Sequence, residues 1–386
     1  VSEDREPLAL KYRPGKFTDL VGQKPSAVVL YRETSLKNLP PAMLFWGQKG
    51  CGKTTSARIV AKALNCTAET GPAESWPCGE CASCYAIENQ VNPDVMELDA
   101  ASNGGVERMK ELRESVLYGT GGEYRVVILD EAHSITGSGY DALLTILEEP
   151  PPSTLFILCT TEPAKVKDTV RNRCQRFRFR PISELMIADR LRYICRNENI
   201  PADDVLLTGI AESAGGSMRD AIMQLDQVAS AGVTSADMWR ELTGEDDYAT
   251  KLIAAAAAGD YPGLFGALDE ALYTCGDYSE ITRQIVRCLR DMTVLTTGEK
   301  VTATGEALRI RKELARQLGP QRLFAAFRVL WDLQTKVRAE DRRQALEIAV
   351  AMLSEKLCPP AGASPRSAAP AAPAPASTAD MRALLG

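Results

Sequence analysis

The segment Gly47-Gln48-Lys49-Gly50-Cys51-Gly52-Lys53-Thr54 constrains this chain more than any other, because few folds can seat such a loop. It is the complete G-x-x-x-x-G-K-[ST] pattern. The apolar run Ala42–Trp46 leads into it, and a helical stretch beginning Thr55-Ser56-Ala57-Arg58 leads out. Glycines permit a turn tight enough for backbone N–H groups to point inward at phosphate oxygens, and the next helix offers its N-terminus to the same anion. In this pattern Lys53 reaches the β- and γ-phosphates and Thr54 ligates Mg²⁺. Gly47, Gly50, Gly52, Lys53, Thr54 and Thr55 form the candidate nucleotide-binding set. The bland alternative is a glycine-rich turn capping a helix; the strand before and helix after favour the nucleotide.

The surrounding sequence supplies a sheet for that loop. Short apolar runs recur at Ala42–Trp46, Val95–Leu98, Val126–Leu129 and Leu155–Cys159, with helical stretches between them. Buried strands alternating with helices predict a parallel sheet covered on both faces. Residues 1–181 are read as this α/β domain. After Pro181 the texture turns helical, with turn signals at Asn199-Ile200-Pro201 and Gly215-Gly216, giving a small domain over 182–246. Residues 247–357 read as a second helical domain, broken at Gly259, Gly276 and Gly319-Pro320. Residues 358–386 are Ala/Pro-rich, a composition that builds no core and is expected to remain a disordered tail.

Val126-Val127-Ile128-Leu129-Asp130-Glu131-Ala132-His133 is a strand that ends in two carboxylates. Asp130 is placed to hold the Mg²⁺ shell, and Glu131 to orient or deprotonate the attacking water. Strands often end in acidic turn residues, so the pair gains its meaning from the phosphate loop. His133, the single histidine, is expected to support local packing or hydrogen bonding rather than catalysis.

The chain has 11 cysteines, and four of them fall in the spacing Cys66-x11-Cys78-x2-Cys81-x2-Cys84. Two interleaved CxxC steps let Cys78, Cys81 and Cys84 converge on one ion, with Cys66 closing a tetrahedral shell. Structural Zn²⁺ is the expected occupant of a module spanning about residues 64–87. An iron–sulfur cluster or unliganded thiols are the alternatives.

Thr160-Thr161-Glu162 follows the strand Leu155–Cys159, where a hydroxyl can hydrogen-bond the water or the γ-phosphate. Arg173, in Arg171-Asn172-Arg173-Cys174, is of a kind that reaches a neighbouring subunit's nucleotide from a domain edge. Arg219, early on a helix of the second domain, can tie that domain to the phosphates. For each the default is a surface arginine. The alternating run Arg171, Arg173, Arg176, Arg178, Arg180 reads as a solvated strand or a phosphate-contacting stripe.

The formal net charge of −6 excludes a simple polycation that coats nucleic acid, while leaving local basic faces open. The longest run of small apolar residues, Leu252–Ala258, is far shorter than a membrane span. The charged start VSEDREPLAL has no apolar core of a secretory signal. A cytoplasmic protein without membrane partners is expected.

Together these segments resemble the gamma/tau subunit family of bacterial DNA polymerase III, the sliding-clamp-loader ATPases of the AAA+ class. The resemblance runs from about Leu10 to about Leu357. It rests on Lys11-Tyr12-Arg13-Pro14, Val21-Gly22-Gln23, the phosphate loop, the four cysteines, Glu97-Leu98-Asp99-Ala100-Ala101-Ser102 and Asp130-Glu131-Ala132-His133. It continues through Leu147-Glu148-Glu149-Pro150-Pro151, Thr160-Thr161-Glu162-Pro163 and Gly216-Ser217-Met218-Arg219-Asp220-Ala221. The resemblance implies a RecA-like AAA+ parallel-sheet core with an inserted zinc module, then a helical lid and an all-α collar that mediates oligomerisation. It implies that Tyr12, Arg13 and Val21–Gln23 border the adenine, that Thr161 (with Thr160) is the first sensor and Arg219 the second, and that Arg173 is a trans-acting finger. The family's finger reads Ser-Arg-Cys; here Asn172 precedes the arginine.

By the same resemblance the cofactors are ATP, Mg²⁺ and Zn²⁺. The partners are delta, delta-prime and further gamma/tau copies, the sliding clamp and primer–template DNA, with the polymerase III core and helicase added in a longer form. The Ala/Pro tail resembles the short form or a truncated one, working in a nucleoid-associated replisome. ATP binding is expected to hold the loader in its clamp-opening state and hydrolysis to release the closed clamp on DNA. Two rivals remain. A helicase, suggested by Asp-Glu-Ala-His, needs a second RecA-like domain. A non-catalytic scaffold is disfavoured by intact Lys53, Asp130 and Glu131.

Overall fold

The structure, a computed structural model, describes residues 6–117, 121–236, 238–239, 248–299, 301, 305–336 and 342–358. The chain divides into two compact units, Val1–Trp239 and Arg240–Gly386.

The first unit is built on five strands: β1 (Ala42–Gly47), β2 (Val95–Asp99), β3 (Arg125–Asp130), β4 (Thr154–Thr160) and β5 (Gln175–Phe179). All pairings are parallel, in the order β2-β3-β4-β1-β5. Four strands lie on the expected apolar runs. The fifth falls inside the arginine run: Phe177 and Phe179 are buried while Arg176 and Arg178 are exposed, the period-2 pattern of a half-buried edge strand.

Helices cover both faces. After a short α1 (Leu8–Lys11), they are α2 (Lys24–Ser35), α3 (Lys53–Asn65), α4 (Ala82–Glu88), α5 (Ala100–Asn103), α6 (Val106–Val116), α7 (Gly137–Glu148) and α8 (Asp168–Arg171). Met43, Phe45, Ile128 and Ile157 pack with Ile59, Val60 and Leu64 of α3 on one side. Leu44, Val127, Leu129 and Leu158 pack with Met109 and Leu112 of α6 and Leu143 of α7 on the other. Each fully buried side chain of this size contributes about 1.5–3 kcal/mol. The neighbours β1, β4 and β3 therefore deliver their C-terminal ends side by side, the place where open α/β sheets bind ligands.

Three more helices complete the unit: α9 (Glu184–Glu198), α10 (Asp204–Ser213) and α11 (Met218–Ser230). Their breaks match the turn signals. Asn199 closes α9 in the left-handed region (φ 53°), the Asp203 carboxylate caps α10, and the Ser217 hydroxyl caps α11. Leu8 of α1 is buried in the core of these helices, with Ile187, Leu191 and Leu225, rather than against the sheet.

The second unit is helical: Tyr248–Ala258, Tyr261–Cys275, Tyr278–Thr296, Gly305–Lys336 and Arg342–Leu357. Gly305–Lys336 bends at Gly319 (φ 70°, ψ 165°) before Pro320, as the Gly-Pro pair predicts. One core joins Leu252, Leu268, Ile285, Leu323 and Leu353. Among the described residues no strand follows Phe179, so the second sheet domain a helicase needs is not found there. No described helix is long and apolar enough to cross a membrane. The expected boundary at residues 246–247 lies outside the described residues, as does the tail beyond 358.

Candidate nucleotide site and metal centre

The loop after β1 is shaped by close approaches. A Cβ on Gly47 would lie 2.1 Å from the Phe179 carbonyl oxygen of β5, and one on Gly50 would lie 1.9 Å from Ser217 Oγ. Neither position has room for a side chain. Lys53 opens α3 and is buried; its Nζ donates to the carbonyls of Gly47 and Gln48, both at 2.9 Å. The ammonium thus sits inside the curl of the loop. Next to it, Thr54 Oγ1 donates to Asp130 Oδ2 at 2.7 Å. The hydroxyl from the loop and the first carboxylate of β3 meet although β4 separates their strands. A hydroxyl and a carboxylate oxygen beside a phosphate cradle are the hard oxygen donors that Mg²⁺ takes, and they fit that ion.

Glu131 turns the chain out of β3 in the left-handed region (φ 46°, ψ 44°). Its N–H donates to Asp130 Oδ1 at 2.9 Å. Its Oε2 is buried and, among the described residues, accepts no hydrogen bond. His133 Nδ1 lies 3.1 Å from Thr160 Oγ1 and 3.4 Å from that Glu131 oxygen. Thr160 is fully buried at the end of β4, and half-buried Thr161 follows it. The candidate base and Thr160, the neighbour of the candidate first sensor Thr161, therefore meet across one imidazole.

The helical part of this unit reaches the same loop. Met218 N–H donates to the Gly50 carbonyl at 3.1 Å, and Gln48 Nε2 donates to the Gly215 carbonyl at 2.9 Å. Arg219, second residue of α11, comes so close that a Cβ on Gly50 would be 3.4 Å from its own Cβ. Arg13 joins from the N-terminus, with Nε donating to Thr55 Oγ1 at 3.4 Å. Burial, then the like charges of Arg58 and Arg219, lower the Arg13 pKa. Such crowding of cations beside a phosphate cradle is relieved by an anion.

Tyr12 and Val21 pack against the helices α9–α11. Tyr12 faces α9: its hydroxyl donates to Glu198 and its ring meets Tyr193 edge-on at 6.3 Å. Burial and the Glu198 hydrogen bond push its phenol up to about 12. Val21 packs against the core of α9–α11. Arg173 is exposed, with Nη2 donating to Glu148 at 2.7 Å and Nη1 to the Thr169 carbonyl at 3.1 Å. None of Lys53, Thr54, Asp130 or Glu131 is among the partners observed for it.

Two features escaped the sequence reading. Arg58 of α3 makes a two-pronged pair with Glu97 of β2, Nε–Oε2 at 2.6 Å and Nη2–Oε1 at 2.7 Å, fastening the phosphate-loop helix to the sheet edge. A charged residue between buried Ala57 and Ile59 was the available signal. Gln23 is buried and clamps one backbone position, donating to the Arg180 carbonyl at 2.7 Å and accepting from its N–H at 3.1 Å.

Cys66 directly follows α3, and Cys81 caps α4, which carries Cys84. The four sulfurs of Cys66, Cys78, Cys81 and Cys84 all lie within 4.8 Å of one another. Cys66–Cys78 is 3.5 Å and Cys78–Cys84 is 4.0 Å. Four sulfurs at about 2.3 Å from a tetrahedral zinc are about 3.8 Å apart, so the set fits Zn²⁺. Cys81 sits at about 6: burial pushes it up, and N–H groups of Cys84 and Thr67 overcome that by donating to its sulfur.

Comparison with known proteins agrees with this architecture. A family model described as DNA polymerase III, delta subunit, matches residues 22–183, and one described as DNA polymerase III clamp loader subunit, ATPase lid domain, matches 186–233. DNA polymerase III subunit gamma/tau of Mycobacterium tuberculosis (strain ATCC 25618 / H37Rv) is 37% identical over 326 residues, 81% of this chain and 56% of that one. DNA polymerase III subunit tau of Bacillus subtilis (strain 168) is 35% identical over 327 residues, 83% of this chain and 58% of that one. The chain thus spans little more than half the length of these relatives. The solved Thermotoga maritima RuvB Holliday junction branch migration motor is a looser likeness, at 15% identity and TM-score 0.44 over 63% of this chain and 78% of that one. By the family models and the relatives together, the chain belongs to the gamma/tau family of DNA polymerase III clamp-loader subunits.

Proposed function

We propose that the chain binds ATP with Mg²⁺ in this cleft and hydrolyses it as a motor subunit of a replicative clamp loader. The observation that carries the reading is the meeting of Thr54 with Asp130 at 2.7 Å beside Lys53 in the phosphate loop. Lys53, Arg13 and Arg219 supply cationic charge, and the loop N–H groups supply directed donors. Thr54 and Asp130 would hold Mg²⁺, which would supply charge neutralisation at the β- and γ-phosphates. Glu131 takes a proton from the attacking water as its oxygen bonds to the γ-phosphorus. The bond to the β–γ bridging oxygen then breaks, releasing ADP and phosphate. Thr161 senses the γ-phosphate from the end of β4. Tyr12 and Val21, through their contacts with the core of α9–α11, fix the wall that borders the adenine.

Residues 1–181 serve as the AAA+ domain, 182–246 as lid and 247–357 as collar. The lid contacts at Gly50 and Gln48 let nucleotide state bias lid position, because a ligand shifts an equilibrium only by differential contacts. Exposed Arg173 acts in trans on the next protomer. The partners are further gamma/tau copies, delta and delta-prime, the sliding clamp and primer–template DNA, in the cytoplasmic, nucleoid-associated replisome. The names of the relatives support the DNA polymerase III context. Steady-state ATP hydrolysis by the reconstituted assembly tests this. Stimulation by clamp plus primed DNA is expected; an assembly that binds ATP and shows no turnover overturns the motor reading.

A further inference from the structure

Four polar groups converge at the ends of β3 and β4 without the phosphate loop taking part. His133 Nδ1 is 3.1 Å from Thr160 Oγ1 and 3.4 Å from Glu131 Oε2, and Nε2 is 3.6 Å from Glu162 Oε1. Thr160 Oγ1 also accepts from the Glu162 N–H at 3.0 Å. The ring is held from both sides of its own chain. Ser134 N–H donates to the Glu131 carbonyl at 2.8 Å, the Tyr140 hydroxyl donates to the Ala132 carbonyl, and Thr136 N–H donates to the Gly104 carbonyl at 3.0 Å. The loop that carries the imidazole is therefore held in place, and the ring itself, 17% exposed, is held by its contacts with Thr160 and Glu162.

Glu131 Oε2 is the buried oxygen without a hydrogen bond, and the nitrogen 3.4 Å from it belongs to this fixed ring. A small rotation of the Glu131 side chain brings that oxygen within hydrogen-bond reach of Nδ1. A buried carboxylate oxygen left unpaired is costly, so the rotation is favoured wherever Nδ1 carries a proton. We infer that His133 is a positioning residue: it orients Glu131 for water activation and links the base to Thr160, beside the Thr161 sensor. Beyond the local packing or hydrogen bonding expected from the sequence, this makes hydrolysis depend on the ring while nucleotide binding does not. A general base is worth about 10²–10⁴ in rate, and misplacement by about 1 Å forfeits a large share of that.

The inference rests on the ATPase reading, and the experiment separates the two. ATP affinity and turnover are measured for the full chain in its reconstituted assembly: wild type, Glu131→Gln, His133→Ala, His133→Leu and His133→Asn. The alanine and leucine variants are expected to lose about ten- to hundredfold in kcat with Kd for ATP within about twofold. Asparagine, whose amide nitrogen can stand where Nδ1 stands, restores most of that loss. Because the chain has a single histidine, its ¹⁵N imidazole resonances in the full chain are unambiguous. The Nδ1 resonance is expected to move in both Glu131→Gln and Thr160→Val. Unchanged kcat in His133→Ala, loss of ATP binding in parallel with kcat, or an Nδ1 resonance indifferent to both substitutions overturns the positioning role. Wild-type turnover no greater than that of Glu131→Gln overturns the ATPase reading itself.

Discussion

Thr54 Oγ1 and Asp130 Oδ2 lie 2.7 Å apart, joining the first turn of α3 to the end of β3 across an intervening strand. Both oxygens belong to the proposed Mg²⁺ shell, so removing either should change metal dependence before it changes anything else. Thr54→Ala and Asp130→Asn are expected to raise the Mg²⁺ concentration for half-maximal hydrolysis by about tenfold or more. A magnesium titration of ATPase rate checks this. Both variants should fold, since each deletes one polar contact at the rim of an intact core.

Glu131 is assigned the proton, not the nucleotide. Glu131→Gln is expected to keep ATP affinity within a few-fold and to lower kcat by about 10²–10⁴. Equilibrium binding of a fluorescent ATP analogue beside single-turnover hydrolysis separates the two quantities.

How far the sequence carried the description depends on whether the relevant partners are local. The phosphate loop, the four apolar strands and the cysteine spacing are local patterns, and the structure places them as expected. Contacts between distant segments were invisible. Nothing near Gln23 announces that it clamps Arg180, because the partner is a backbone group 157 residues away. Arg219 was legible as an arginine early on a helix, while its approach to Gly50 depends on how α11 docks. The neighbours of Tyr12 were equally out of view: its contacts lie on α9, edge-on to Tyr193 and through its hydroxyl to the Glu198 carboxylate. His133 was expected to serve packing or hydrogen bonding, but its partners were out of view, since Thr160 and Glu162 arrive from the end of the next strand over.

The cysteine cluster should hold about one zinc per chain, measured by elemental analysis of purified protein. Cys78→Ser, or a strong chelator, is expected to remove it, lower the melting temperature, and open residues 66–84 to proteolysis. Because Cys66 directly follows α3, the far end of the phosphate-loop helix should loosen as well, read as faster amide exchange at Ala63–Asn65. Full metal retention in Cys78→Ser removes that cysteine from the ligand set.

Tyr12 offers a test of lid anchoring through pH. Burial and the hydrogen bond to Glu198 raise its phenol from 10.0 to about 12. A group with a raised folded pKa contributes stability that is fully present below its unfolded value and lost as pH rises through the folded one. Wild-type stability should therefore fall between about pH 10 and about pH 12 more steeply than that of Tyr12→Phe, which has no proton to lose. Denaturant unfolding across that range checks the difference in slope; identical slopes remove the Tyr12–Glu198 bond from the account.

Everything proposed for this chain requires Lys53 Nζ to exchange the Gly47 and Gln48 carbonyls for phosphate oxygens. The deciding measurement is calorimetric titration of Mg²⁺–ATP into wild type and Lys53→Ala, with folding of both verified by circular dichroism. The account predicts saturable binding to the wild type and at least about a hundredfold weaker binding to the variant, or about 2.7 kcal/mol. A folded Lys53→Ala protein that binds ATP as tightly as the wild type would contradict it.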